Sequence, residues 1–189
     1  MEQSTVKKYE LLIDDTYEFF DVTVFRIKAL ISFGNVKKGE LGGYVEKEDN
    51  LCHSGNAWVY DDAKVRGNAR VYGNAEVSGD ALVFGNAKVY DNALVTDNAS
   101  VSDNAEVYGN AVVSRASVYG NAEVYGNAVV SLGARVYGDA EVYGDAEVTG
   151  NAKVYGNAEV YGYTKVTGNA EVSDEEIVGQ PSPSFDQGL

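Results

Sequence analysis

Valine returns every six residues from Val59 to Val113 and, after one five-residue step, every six from Val118 to Val172. Two residues before each of these valines stands an alanine, with Thr164 the exception. In an extended segment alternate side chains share a face, so Ala and Val point inward together while the residue between them and the one after Val point outward. The Gly-Asn, Asp-Asn or Gly-Asp pair that follows supplies residues able to adopt the positive φ of a sharp corner. The pattern predicts short sides joined by corners, three hexads to a coil, around a thin triangular core of stacked Val and Ala. Each such unit buries its apolar side only by stacking on its neighbours, which marks a repeat architecture.

With three hexads per coil, outward residues align in columns every 18 positions once the short step near Arg115 is absorbed. One column is Tyr72, Tyr90, Tyr108, Tyr125, Tyr143 and Tyr161, an outer ladder whose rings stack on the same face. A second runs Tyr60, Ser78, Thr96, Ser114, Ser131, Thr149 and Thr167, and an acidic row runs Glu106, Glu123, Glu141 and Glu159. The residues between Ala and Val on one side read Trp58, Glu76, Leu94, Val112, Val129, Glu147 and Lys165. Parity places all of them outward, so Leu94, Val112 and Val129 form an apolar patch on three successive coils. Both irregular corners lie beside it: Arg115, where the hexad loses a residue, and Leu132-Gly133, where Leu replaces Gly.

The flanks do not carry the hexad. Residues 4–33 hold clusters of β-formers, such as Val22 to Ile27, around an Asp14-Asp15 turn signal, and predict antiparallel strands or a hairpin. Gly43-Tyr44-Val45 already has the small-x-aliphatic pattern and predicts a first, irregular coil. The organisation is a β-rich N-terminal cap over 1–50, a repeat array over 51–174, and a tail over 175–189. Pro181 and Pro183 cannot continue a strand ladder, so the tail reads as a flexible end or a loop folded over the last coil.

The [aliphatic]-x-Gly-[Asn/Asp]-[small]-x hexad with 18 residues per coil resembles the left-handed parallel β-helix of the hexapeptide-repeat superfamily. The left hand comes from that resemblance, since general crossover rules favour the right. More narrowly, three stretches resemble the cap and first coils of YdcK-type bacterial proteins and their phage-borne relatives. They are Arg26 to Leu30 followed by Phe33 to Gly39, then Gly42-Gly43-Tyr44-Val45, then Gly55 to Asp61. The resemblance implies an all-β fold, a β-helix with a small β-rich N-terminal cap, and no established enzyme activity.

Charge narrows the partners. The chain carries 29 acidic and 15 basic side chains, a net charge of -14, which repels nucleic acid and anionic membrane. That balance serves solubility, or alternatively a basic partner or mimicry of a nucleic-acid surface. One cysteine, Cys52, excludes an internal disulfide framework, and no apolar run is long enough to span a membrane. A soluble, cytoplasmic protein is expected, inside a bacterial host if the chain is phage-encoded.

Candidate chemistry is sparse. Many hexapeptide-repeat proteins are acyltransferases with a His general base beside a groove between subunits. The single histidine here, His53, lies in the irregular first coil, where a capping or surface role is expected. Cys52 and His53 are adjacent, which in an extended segment directs them to opposite faces and argues against a nucleophile and base pair. Asp91, Asp97 and Asp103 occupy the three corners of one coil, too spread for a shared calcium ion. No enzyme activity, cofactor or metal is expected.

The expected role is binding or scaffolding, with a homo-oligomer, trimeric by resemblance, meeting through Leu94, Val112, Ser114, Arg115, Val129 and Leu132. A host protein partner, or a small ligand held between subunits, are the other occupants considered. The more specific alternative is a phage protein that neutralises a host defence by acidic surface mimicry or ligand sequestration.

Overall fold

The computed structural model describes residues 6–19, 21–174 and 176–180. The chain is an all-β parallel solenoid with a single short 3-10 turn, Glu48–Asn50, among the described residues. Its strands form three sheets. Sheet III runs from Trp58–Val59 to Lys165–Val166, sheet I from Lys64–Val65 to Glu171–Val172, and sheet II from Arg70–Val71 to Ile177–Gln180. The chain visits them in the order III, I, II. Seven regular coils result, numbered here from the N-terminal end, preceded by one irregular turn.

Before the last coil, each valine of the array pairs in register with the valine one coil on, as in Val77 with Val95 and Val113 with Val130. The Val and Ala columns are closed to solvent through most of the array, so the core is a continuous seam of small aliphatic groups. Backbone N–H groups complete the stack by donating to the next coil, for example Glu106 N to Ala122 O at 3.0 Å. Corner residues adopt positive φ, as glycine at Gly126 (71°) or as aspartate at Asp91, Asp97 and Asp103 (58–59°). The aspartates have a local reason to tolerate that conformation. Asp91 and Asp103 accept from the N–H of Gly109 and Gly120 in the next coil, at 3.4 and 3.1 Å.

The N-terminal segment folds as two antiparallel strands, β1 (Tyr9–Phe19) and β2 (Val22–Ala29), followed by β3 (Leu41–Val45). Strand β3 pairs antiparallel with β2 and parallel with Lys64–Val65, so it joins the cap to sheet I. Asp14-Asp15 is not the hairpin turn. It lies in a register shift of β1, between the pairs Leu12 with Arg26 and Thr16 with Phe25, and the chain reverses between Phe19 and Val22. Asp15 is held there by Arg26, whose Nε lies 3.1 Å from its carboxylate. Asp21, at φ 58°, supplies the left-handed residue of the actual turn.

The irregular first coil expected at Gly43-Tyr44-Val45 is present: Tyr44 and Val45 pair with Lys64 and Val65, and Leu51 bridges to Val71. The array also runs past 174, because Ile177–Gln180 pairs in parallel with Glu159–Gly162. The rest of the expected tail, 181–189, lies outside the described residues.

The cap also meets carbonyls at the N-terminal end that have no preceding regular coil to donate to them. Lys8 is buried, its ammonium donating to Ala57 O at 2.8 Å and Gly55 O at 3.4 Å while lying over the Phe33 ring. Burial lowers its pKa to about 8. Buried Asn50 donates to Gly67 O and Ala69 O at 3.1 and 2.8 Å and accepts from Lys47 N–H. Side chains thus replace the missing ladder, as buried backbone acceptors require.

Candidate functional site: the uncharged stretch of sheet III and its irregular corner

On sheet III, Leu94, Val112 and Val129 lie side by side in direct register, each half-buried, with Glu76 before them and Glu147 after. Their strands, Leu94–Thr96, Val112–Ser114 and Val129–Ser131, are three residues long where most others in the array have two. The next outward column is hydroxylic, with Ser78 Oγ donating to Thr96 Oγ1 at 2.9 Å. The stretch is therefore a flat strip, apolar along one column and small and polar along the other. It ends at coils six and seven in an exposed ion pair, Lys165 Nζ to Glu147 at 2.9 Å.

Trp58 occupies the same outward column at coil one, but it is not on the surface. The cap covers it, with the rings of Phe33 and Tyr9 meeting it edge-on at 5.4 and 6.1 Å. Outward parity says which side of the sheet Trp58 leaves; it does not say what lies beyond.

The corner between sheets III and I differs from the other two. Between II and III a side-chain amide ladder runs unbroken from Asn56 to Asp145, with steps of 2.9–3.1 Å. Between I and II another runs from Asn68 to Asp139. At the third corner the corresponding pairs are Asp61-Asp62, Gly79-Asp80 and Asp97-Asn98, then Arg115 alone, then Leu132-Gly133, and among the described residues a ladder bond appears only at Asn151 to Asn169. Arg115 and Leu132 adopt positive φ (51° and 60°), and Leu132 is 51% exposed. Asp97 accepts from the Ser114 hydroxyl and faces Arg115 Nε at 3.9 Å. Leu132 N–H and Gly133 N–H donate to Ser114 O and Arg115 O, which keeps the shortened corner tied to its neighbour. The structure thus brings Leu94, Val112 and Val129 onto one strip and sets Ser114, Arg115 and Leu132 along its border.

Sheet II carries the Tyr ladder. Rings from Tyr72 through Tyr161 stack at centroid distances of 4.8–5.3 Å, almost parallel. Four of the phenols, on Tyr90, Tyr108, Tyr125 and Tyr143, donate to Glu106, Glu123, Glu141 and Glu159 of the next coil at 2.8–3.1 Å. Burial among the stacked rings, then the bond to a carboxylate and its charge, raise the pKa of these four above the usual phenol range.

The consequence for pH has a definite sign. A phenol whose pKa is higher folded than unfolded binds its proton more tightly in the folded state, so its contribution is intact below the ordinary phenol pKa of about 10. It is lost as pH rises beyond that value. Near-ultraviolet phenolate absorbance followed with circular dichroism is expected to show a fraction of the tyrosines ionising late, together with loss of strand signal. Ordinary titration of all the tyrosines with the fold intact would refute this.

A second ladder went unpredicted: Tyr119, Tyr137 and Tyr155 stack on sheet I at 4.9 and 5.0 Å. They too stand one coil apart, so counting columns on every side would have found them.

Cys52 and His53 border an open groove of ≈ 560 Å³ with Lys47, Glu48 and Arg70 on its walls. The segment is a bend rather than an extended strand. His53 Nδ1 accepts the Lys8 backbone N–H at 3.2 Å, and its ring stacks on Tyr9 at 4.5 Å. The Cys52 thiol is bonded to the Ser54 hydroxyl at 3.1 Å. Both side chains have partners within the junction of cap and first coil. Among the described residues no three His, Cys, Asp or Glu side chains are grouped to hold a metal ion, and no helix is long and apolar enough to cross a membrane.

Stacked coils of this period define a parallel β-solenoid repeat protein. The family model described as the YdcK β-solenoid repeat matches residues 87–103, one residue short of a full coil, and with the fold around it supports a β-helix protein of the YdcK type. No curated protein matches the chain.

Proposed function

We propose that the protein is a non-enzymatic binding or scaffolding module of the cytoplasm that works as a side-by-side homo-oligomer, a trimer by analogy with the hexapeptide-repeat proteins it resembles. The observation that carries this reading is the strip of Leu94, Val112 and Val129, three half-exposed aliphatics in register beside the irregular corner. Contiguous apolar surface of this kind marks interaction sites better than scattered aliphatics do. In the double variant Val112→Glu/Val129→Glu, association is expected to be lost while the strand signal in circular dichroism is kept. An unchanged sedimentation profile would rule out this strip as the contact.

A second reading is favoured by the row of Glu106, Glu123, Glu141 and Glu159 on sheet II, paired in register along four coils. With the net charge of -14, it supports a phage-encoded anti-defence role in which an acidic face occupies a host nucleic-acid site, or a small ligand is trapped between subunits. Competition in gel shifts against host nucleic-acid-binding proteins, with calorimetric screening of cyclic nucleotides, tests both forms; no effect in either removes this reading. Acyl transfer has less support, because His53 is engaged by Lys8 and Tyr9 in the cap junction.

A further inference from the structure

Resting on the reading of sheet III as a contact between copies, we infer that neighbouring copies meet by setting sheet III of one against sheet I of the next, at matched coil level. Around a rotation axis parallel to the solenoid, equivalent coils of neighbouring copies stand at the same height. The outward residues of each level then decide which sheets fit.

Sheet III against itself does not fit. Level for level it sets Glu147 against Glu147 and Lys165 against Lys165. Turned over about Val112, it sets Glu76 against Glu147 (register from the parallel pairing). Sheet II does not fit either. At coils three to five it would press Glu106, Glu123 and Glu141 onto Leu94, Val112 and Val129, and at coil six it would set Glu159 against Glu147. Desolvating carboxylates against aliphatic groups is costly.

Sheet I is complementary. At coils three and four it presents Ser100 and Ser117, small groups that let Leu94 and Val112 approach closely. At coil five the stem of Arg135 covers Val129 with its charged end free to reach outward. At coils six and seven sheet III reads Glu147 then Lys165, whereas sheet I reads Lys153 then Glu171. The two charge orders are opposite, level by level. Each pair is already closed within its own chain, at 2.9 Å for Lys165 with Glu147 and 2.6 Å for Lys153 with Glu171. Docking converts two exposed pairs into a four-charge network that fixes both partner face and level. Coil two is the exception, since Glu76 faces Leu82 there, so the complementary contact runs over coils three to seven.

Charge swaps test the pairing without breaking either internal pair. Glu147→Lys/Lys165→Glu reverses sheet III, and Lys153→Glu/Glu171→Lys reverses sheet I. Each double variant is expected to weaken self-association at least about tenfold in sedimentation equilibrium at low salt, with unchanged circular dichroism. The variant with all four changes restores the opposite order and is expected to regain wild-type association. If the four-fold variant stays as weak as the double variants, or if neither double variant weakens association, the pairing of sheet III with sheet I is wrong although the oligomer stands. A wild-type protein that sediments as a monomer overturns the oligomer and this pairing together.

Discussion

Replacing Trp58 by Ala is expected to destabilise the protein by about 3–5 kcal/mol, the range for deleting a large buried aromatic. Trp58 is fully buried and joins the cap to coil one, where Phe33 and Tyr9 meet its ring and Gly42 passes beside it. The same junction leaves no room for growth. A Cβ on Gly42 would lie 2.5 Å from Val59 O and 2.8 Å from Trp58 Cζ2, so Gly42→Ala is expected to act in the same direction. Trp58→Phe is the control. Among the described residues the indole N–H has no hydrogen-bond partner, so removing it offsets part of the lost packing and the cost falls well below that of Ala. Urea unfolding followed by circular dichroism measures all three. Equal losses for Phe and Ala would show that ring packing at this junction contributes little.

The second large effect belongs to the corners. Gly126→Val is expected to cost about 2–5 kcal/mol, adding the left-handed backbone penalty of an L-residue to overpacking against the next coil. Gly126 has φ 71°, and a Cβ there would sit 2.9 Å from the backbone nitrogen of Gly144. At Gly168, also left-handed at φ 68°, a Cβ meets nothing within 4 Å, so Gly168→Ala should cost only the backbone term of about 1–2 kcal/mol. Asp91 shows what the same corner accepts: a left-handed aspartate whose carboxylate reaches the N–H of Gly109. Gly126→Asp is therefore expected to be milder than Gly126→Val. Thermal melting of the set gives the order, and a Gly126→Val protein melting with the wild type would remove the steric argument.

Much of the array was legible because its signal is strictly local. The phase of Val and Ala determines which side chains face inward, and a count of 18 places Tyr72 over Tyr90 and Leu94 beside Val112 without knowledge of anything distant. The cap was less legible because its structure depends on contacts far along the chain. Asp14-Asp15 has turn-forming residues, yet Arg26 holds Asp15 in a register shift and the reversal occurs later. Trp58 has outward parity, yet residues 25 and 49 positions earlier bury it. No motif marks Lys8 or Asn50, since their role exists only once carbonyls of the first coil need donors. At the candidate site, the strip and its odd corner followed from column counting, whereas the opposed charge order on sheet I emerged only when two sheets were compared level by level.

The shortened corner at Arg115 shows that circumference and strand phase are independent variables in this chain. One residue is missing between Ser114 and Ala116, yet Ser114 still pairs with Ser131 and Ser117 with Arg135. Length change is absorbed where side chains serve neither core nor ladder. A peptide spliced in beside Arg115 is therefore expected to project from the rod with the coils on either side still stacked, and, because that edge borders the strip of Leu94, Val112 and Val129, to sit at the rim of the proposed contact between copies.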